Sequence, residues 1–320
     1  MKKMDSNIKR LLIILVAFII IACVTKPTAF IKIGNFQTMA KQLSEYGLMS
    51  IGVGICMISG GIDLSTVYIA NLCGILAGIT MQDGGNVPLA ILVGLVVGII
   101  CGSFNGFLVS YLRIPAMLAT LGTYQLFMGI AILASKGSTV SGIPEAYTSF
   151  ATTALLGYIP LSFVVFLLLI LAVTFIMSRT KFGTRVYLVG TNERAARFAG
   201  IHCNAVLVRT YMLSGLLSAV AGLLSLARIN SAKADFGSSY TMQSILIAVL
   251  GGVNPNGGFG TIPGIAIAVV ILQMMSSYLN MFPGISNYYR DLIWGIALIG
   301  VLIINFALDK RRTQRLSKIS

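Results

Sequence analysis

The chain has 320 residues, 57% of them apolar and only 10% charged, with a mean hydropathy of +0.91 and a formal net charge of +14. Soluble domains run near 45–50% apolar and about 25% charged, so an ordinary soluble fold is excluded and a polytopic membrane protein is indicated. The basic residues stand at the ends of apolar blocks rather than along one face, which is the pattern of topology signals and contact with membrane lipid, not of nucleic-acid binding.

Met1–Arg10 is a basic tail (Lys2, Lys3, Lys9, Arg10) that runs into the apolar stretch Leu11–Val24. The combination mimics a signal peptide, and Ile20-Ile21-Ala22-Cys23 resembles a weak lipoprotein box. Everything downstream is equally apolar, so the stretch is read as the first span, with Pro27 just beyond it. Nine further apolar blocks follow, at 43–59, 62–80, 88–112, 116–135, 159–178, 206–228, 242–254, 262–282 and 288–308. Several reach the roughly 20 residues that a bilayer requires. Block 242–254 does not: at about 1.5 Å per residue it covers some 20 Å, and a broken or re-entrant element buried among other helices is expected there. No stretch alternates with the period of a transmembrane β-barrel. The expected fold is all-α, one transmembrane domain over 1–320 with about ten helices.

Charge orients it. Both tails are basic, the C-terminal one through Lys310, Arg311, Arg312, Arg315 and Lys318, so matching cytoplasmic tails need an even number of spans. With ten spans, four basic residues of the N-terminal tail, Arg113, six in the interval Ser178–Arg209 and five in the C-terminal tail place 16 of the 23 inside. The opposite orientation leaves seven inside. A Gly-Gly pair stands beside a short block in each half (Gly60-Gly61 and Gly251-Gly252), an echo compatible with inverted internal repeats.

Ser178–Arg209 is the longest polar interval between two potential spans. Within it, Asn192–Ile201 reads as a short helix. Thr191 or Asn192 can cap its first amides, Glu193 suits the first turn, Ala195, Ala196 and Ala199 favour helix, and Gly200 stops it. Ala195, Phe198 and Ala199 share a face, flanked by Arg194 and Arg197. Such a helix is suited to docking against another protein; a plain solvated loop is the alternative.

Glu193-x-Ala195-Ala196-x-x-x-Gly200 resembles the coupling loop of permease subunits of bacterial ABC importers. Gly60-Gly61-Ile62-Asp63-Leu64-Ser65, Ile114–Thr123, Gly190–Ile201 and Val249-Leu250-Gly251-Gly252 followed by Gly257-Gly258-x-Gly260 resemble, in order, the ribose/xylose/galactose/autoinducer-2 type of that family, over roughly residues 40 to 308. The resemblance implies the membrane-spanning permease of a binding-protein-dependent importer in the bacterial inner membrane. It also implies cytoplasmic ATP-binding subunits that dock on Asn192, Glu193, Arg194, Ala195, Ala196, Arg197, Phe198 and Gly200, a second permease subunit, and an extracytoplasmic solute-binding protein.

The residues themselves offer no chemistry of their own. No G-x-x-x-x-G-K-[ST] phosphate loop occurs, so ATP would be bound by a partner, and no cofactor is expected. His202 and the five cysteines lack metal-ligand spacing, and no catalytic pair stands out. Intramembrane ionisable groups are few: Asp63 follows the first Gly-Gly pair, while Glu45, Arg228, Arg290 and Asp291 are read as snorkelling near span ends. That scarcity weighs against an ion- or proton-coupled secondary transporter, the alternative function. Asp63 either caps the following helix or serves the path. Asn71, Asn105, Gln125, Gln243, Gln273 and Asn280 can hydrogen-bond a hydroxylated solute or pair helices. Gln273 and Asn280, seven apart, fall on one helix face.

Overall fold

The structure, a computed structural model, describes residues 6–155 and 157–282 together with isolated positions between 289 and 299. The predicted block 288–308 as a whole, Arg290, Asp291 and the basic C-terminal tail lie outside the described residues. Thirteen α-helices make up nearly all of the rest: α1 Ser6–Thr25, α2 Pro27–Phe30, α3 Ile33–Ile58, α4 Thr66–Met81, α5 Val87–Ser110, α6 Ala116–Ala134, α7 Glu145–Thr152, α8 Leu161–Arg179, α9 Lys181–Thr191, α10 Glu193–Phe198, α11 Cys203–Ile229, α12 Tyr240–Leu250 and α13 Ile262–Leu279. A two-residue hairpin, β1 Ala154–Leu155 with β2 Ile159–Pro160, is the only sheet among the described residues.

Helices α1, α5, α6, α8, α11 and α13 are each long and apolar enough to cross a membrane. Their starts carry local signals that fix them. Asn86 accepts from the Leu89 amide at 3.1 Å, with Pro88 in the first turn of α5; Thr261 accepts from the Gly264 amide at 3.2 Å, with Pro263 in the first turn of α13. Both pairings satisfy orphan amides where proline has none to offer.

The core is the second half of α3. Every residue from Leu43 to Ile58 is buried, enclosed by α4, α8, α11, α12 and α13. Helix α11 lies in turn against α3, α4 and α5. Small residues set that approach: a methyl on Gly215 would stand 2.2 Å from the Gly98 carbonyl oxygen. Close backbone packing of this kind replaces the hydrophobic drive that is missing between helices in lipid. The outer helices α1, α5 and α8 turn Ile13, Leu92 and Leu171 outward, as lipid-facing surfaces require.

Loops gather on two faces. On one, Asn7 at the start of α1 donates to the Gly251 carbonyl after α12, and Arg113 after α5 pairs with Glu193 of α10. On the other, Val140 after α6 bridges to Ala232 after α11, and Gln82 after α4 reaches the Ser141 carbonyl.

Several expectations are adjusted. Helix α3 begins ten residues before the predicted block 43–59, because the polar segment 33–42 is also helical. The short block 242–254 becomes α12, eleven residues and about 16 Å long. The chain reaches it through residues 230–239, which Asn71 of α4 fastens to the bundle by donating to the carbonyls of Ala234 at 3.0 Å and Phe236 at 2.8 Å. The two glycine breaks do not fit an inverted repeat. Such a repeat would send them to opposite faces, yet the Gly258 amide beside the second break donates to the Ile58 carbonyl beside the first at 2.9 Å.

Candidate functional site

The polar interval holds two helices, not one. Thr180 caps α9 by accepting from the Gly183 amide at 3.3 Å, and α9 buries Gly183, Val186 and Val189 against the bundle. The Val186/Val189 spacing was its signal, overshadowed by Lys181 and Arg185 just before it. Asn192 ends α9 and begins α10, accepting from the Ala195 amide at 3.0 Å. Helix α10 covers Glu193–Phe198 within the expected 192–201. It closes with Gly200 at φ +80°, where the Gly200 amide bonds Arg197 and the Ile201 amide bonds the Ala196 carbonyl at 3.1 Å. These two bonds and the left-handed glycine form a Schellman stop.

Charge clasps α10 to its neighbours. The Glu193 carboxylate accepts from Arg113 in the α5–α6 turn and from Arg197 at 2.8 Å, while Arg113 also donates to Asn204 of α11 at 3.0 Å. Burial pulls the Glu193 carboxyl up, but the Arg113 and Arg197 guanidiniums outweigh it and hold it below its ordinary value. Glu193 is therefore ionised at neutral pH. Ala196 is buried beneath the helix, whereas Phe198 is 94% exposed at its tip. An aromatic ring bared on a rigid, clasped helix is a ready contact for another protein.

The seven candidate path residues do not form one site. Asp63 and Asn105 share a buried network in which Asp63 accepts from the Ser65 amide at 3.0 Å, the Ser65 hydroxyl at 2.7 Å and the Ser214 hydroxyl of α11 at 3.1 Å. Asn105 donates to the Ser65 hydroxyl at 2.7 Å. The acceptor role expected of Asp63 is found one step early: Ser65 is the first residue of the helix boundary, and Asp63 fixes the turn before it. Beside this network Asn105 Oδ1, Thr66 Oγ1 and the Tyr211 hydroxyl are buried without a partner among the described residues. Asn71 is occupied in holding 230–239, and Gln243 is buried on α12. Gln125 is exposed, on the outward side of α6.

Gln273 and Asn280 do relate to one feature. Asn280, Ser277, Asn35 and Gln42 line an open cleft of about 390 Å³ between α3 and the end of α13. Gln273 is buried below it, donating to Gln42 at 2.8 Å and accepting from Tyr46 at 2.7 Å, so a polar chain leads from the cleft into the core. The sequence reading missed one pairing altogether. Glu45 and Arg228 do not snorkel separately; Arg228 grips the buried Glu45 carboxylate with both Nε and Nη2, the latter at 2.9 Å. Nothing local marks two residues 183 positions apart as partners.

The Asp63 geometry makes a prediction. Asp63→Asn keeps an acceptor for Ser65 and offers an amide to the Ser214 hydroxyl, so near-normal membrane levels are expected. Asp63→Leu strands all three donors, at about 1–3 kcal/mol per stranded group, and should lose protein. Quantifying inserted protein for the two variants checks this; equal levels would remove the network from the fold's supports.

Six helices long and apolar enough to cross a membrane, packed into one bundle, have the form of an integral membrane protein. Residues 35–302 match the family described as the branched-chain amino acid transport system permease component, and the chain belongs to that permease family. It is 36% identical over 274 residues to the autoinducer 2 import system permease protein LsrD of Escherichia coli strain K12, covering 84% of this chain and 82% of the relative. LsrD of Shigella flexneri is similar to the same extent. No solved structure matches the chain.

Proposed function

We propose that this permease is the path-forming subunit of an ATP-driven, binding-protein-dependent importer, and that its solute is autoinducer 2 or a sugar-like molecule of that kind. The observation that carries the ATP-driven part is α10, rigidly capped and clasped with Phe198 bared. Without a phosphate loop in the chain, ATP is bound by partner subunits that meet this helix. A small hydroxylated solute suits the neutral polar groups of the 390 Å³ cleft and the unpartnered Asn105 Oδ1 and Tyr211 hydroxyl near Asp63. Uptake of labelled autoinducer 2 by cells carrying the complete importer, compared with cells lacking only this chain, tests the solute. Equal uptake with and without the chain rejects it.

A second permease subunit is supported by Gln125. It stands near the middle of α6, where an amide turned to hydrocarbon is costly, between Gly122 and Gly129, whose missing side chains would meet nothing among the described residues. A partner helix would cover the amide and use both glycines for close approach. The tails are proposed to be cytoplasmic, because the α10 face carries Arg113, Arg194, Arg197 and the start of α1. In this orientation α3, α4 and α12 alternate with the six long spans, and block 288–308 supplies the tenth crossing of a single domain. In a cysteine-free background, a membrane-impermeant thiol reagent applied to intact cells is expected to label Ser138→Cys and spare Ser317→Cys. Labelling at 317 reverses the orientation.

A further inference from the structure

Where α9 ends, its backbone directly touches the turns beside both glycine breaks. A methyl on Gly190 would lie 1.9 Å from the Ile58 carbonyl oxygen, at the end of α3, and 2.7 Å from the Gly258 amide, in the turn between α12 and α13. A methyl on Gly257 would lie 2.6 Å from the Gly190 oxygen and 2.8 Å from the Gly60 Cα, and one on Gly258 would stand 2.4 Å from Thr191 Oγ1. Gly257 and Gly258 have φ of +89° and +77°, so their conformation also disfavours a side chain. Two hydrogen bonds fasten the contact, from the Gly258 amide to Ile58 at 2.9 Å and from the Tyr187 hydroxyl to the Gly260 carbonyl at 2.7 Å.

We infer that Gly190, Gly257, Gly258 and Tyr187 are positioning residues that transmit displacement of α10 to the α3–α4 and α12–α13 turns together. The physical reason is the absence of slack. Side chains between two elements can change rotamer and absorb a shift of an ångström, whereas backbone in contact with backbone moves with it. Asn192 joins α9 to α10 directly, so a push on Phe198 reaches Gly190 through two short helices that share one capping residue. From there the first turn carries Asp63, bonded to α11 through Ser214, and the second begins α13, which carries Gln273 toward the cleft. One junction therefore addresses both broken regions at once, and neither can shift without the other.

This inference rests on α10 being the ATPase contact, and the test separates the two. The whole importer, with its ATPase and a binding protein loaded with autoinducer 2, is reconstituted in proteoliposomes, and ATP hydrolysed and solute taken up are measured together. Tyr187→Phe removes only the hydroxyl that holds Gly260 and introduces no clash; Gly258→Ala drives a methyl into Thr191. Both are expected to retain the ATPase and to lower solute moved per ATP by at least about fivefold, the scale of an ordinary coupling energy. Should Gly258→Ala fail to assemble, Tyr187→Phe alone decides. An unchanged ratio in Tyr187→Phe with the ATPase still bound overturns the inference alone, while ATPase binding that survives Phe198→Ala overturns the docking reading and the inference with it.

Discussion

Glu45→Ala is expected to strip most of this permease from the membrane. The Glu45 side chain is 1% exposed and bound through both carboxylate oxygens by Arg228, so alanine leaves a largely buried guanidinium without its carboxylate. Removing one partner of such a pair costs about 3–5 kcal/mol, a large part of the 5–15 kcal/mol that stabilises a typical domain. The Glu45→Leu/Arg228→Met double variant removes both charges and fills the space, and it should recover much of the lost protein because the pair's own desolvation cost disappears with it. Thermal melting of the purified variants in detergent, with inserted protein measured beside it, gives the answer. A Glu45→Ala protein that accumulates and melts like the parent would show that the pair is dispensable.

Phe198→Ala should detach the ATPase while leaving the permease itself intact. The ring is 94% exposed, so its loss removes almost no packing within the chain, whereas an aromatic anchor at an interface centre is worth about 2 kcal/mol or more, roughly thirtyfold in affinity. Ala196→Trp and Gly200→Val test something different. Ala196 is buried under α10 and Gly200 has a left-handed φ of +80°, so both substitutions would displace the helix rather than trim its contact surface. Co-purification of the ATPase with each variant, at equal permease recovery, distinguishes the cases. Retention of the ATPase by Phe198→Ala would leave α10 without a docking role.

The parts of the site that could be read beforehand are those written in adjacent residues. The α10 cap, its glycine stop and the small alanines all act within one or two turns, and the helix lies inside the stretch where the residues placed it. Asp63 was recognisable as an acceptor for the turn it sits in, because its Ser65 partners are two residues away. Its third bond, to Ser214, was not recognisable, since that residue lies 151 positions on. Helix α9 was hidden because lysine and arginine side chains with long apolar stems occupy a helix that is half buried, so its polarity resembled a loop's.

The sequence by itself determined that the chain lives in lipid, roughly where its long helices begin and end, and which polar interval carries the exposed helix. A bilayer imposes a minimum apolar length, and caps are local, so both are written in consecutive residues. Tertiary structure alone decided that Gln125 faces outward while Asn105 and Asp63 face inward, that Glu45 meets Arg228, and that three separated glycine segments touch at Gly190. A helix that is apolar all round shows no preferred face, so its rotation is set only by what it packs against. Pairings across 150 or more residues cost the chain loop entropy and are specified by the whole packed bundle, not by any window of it.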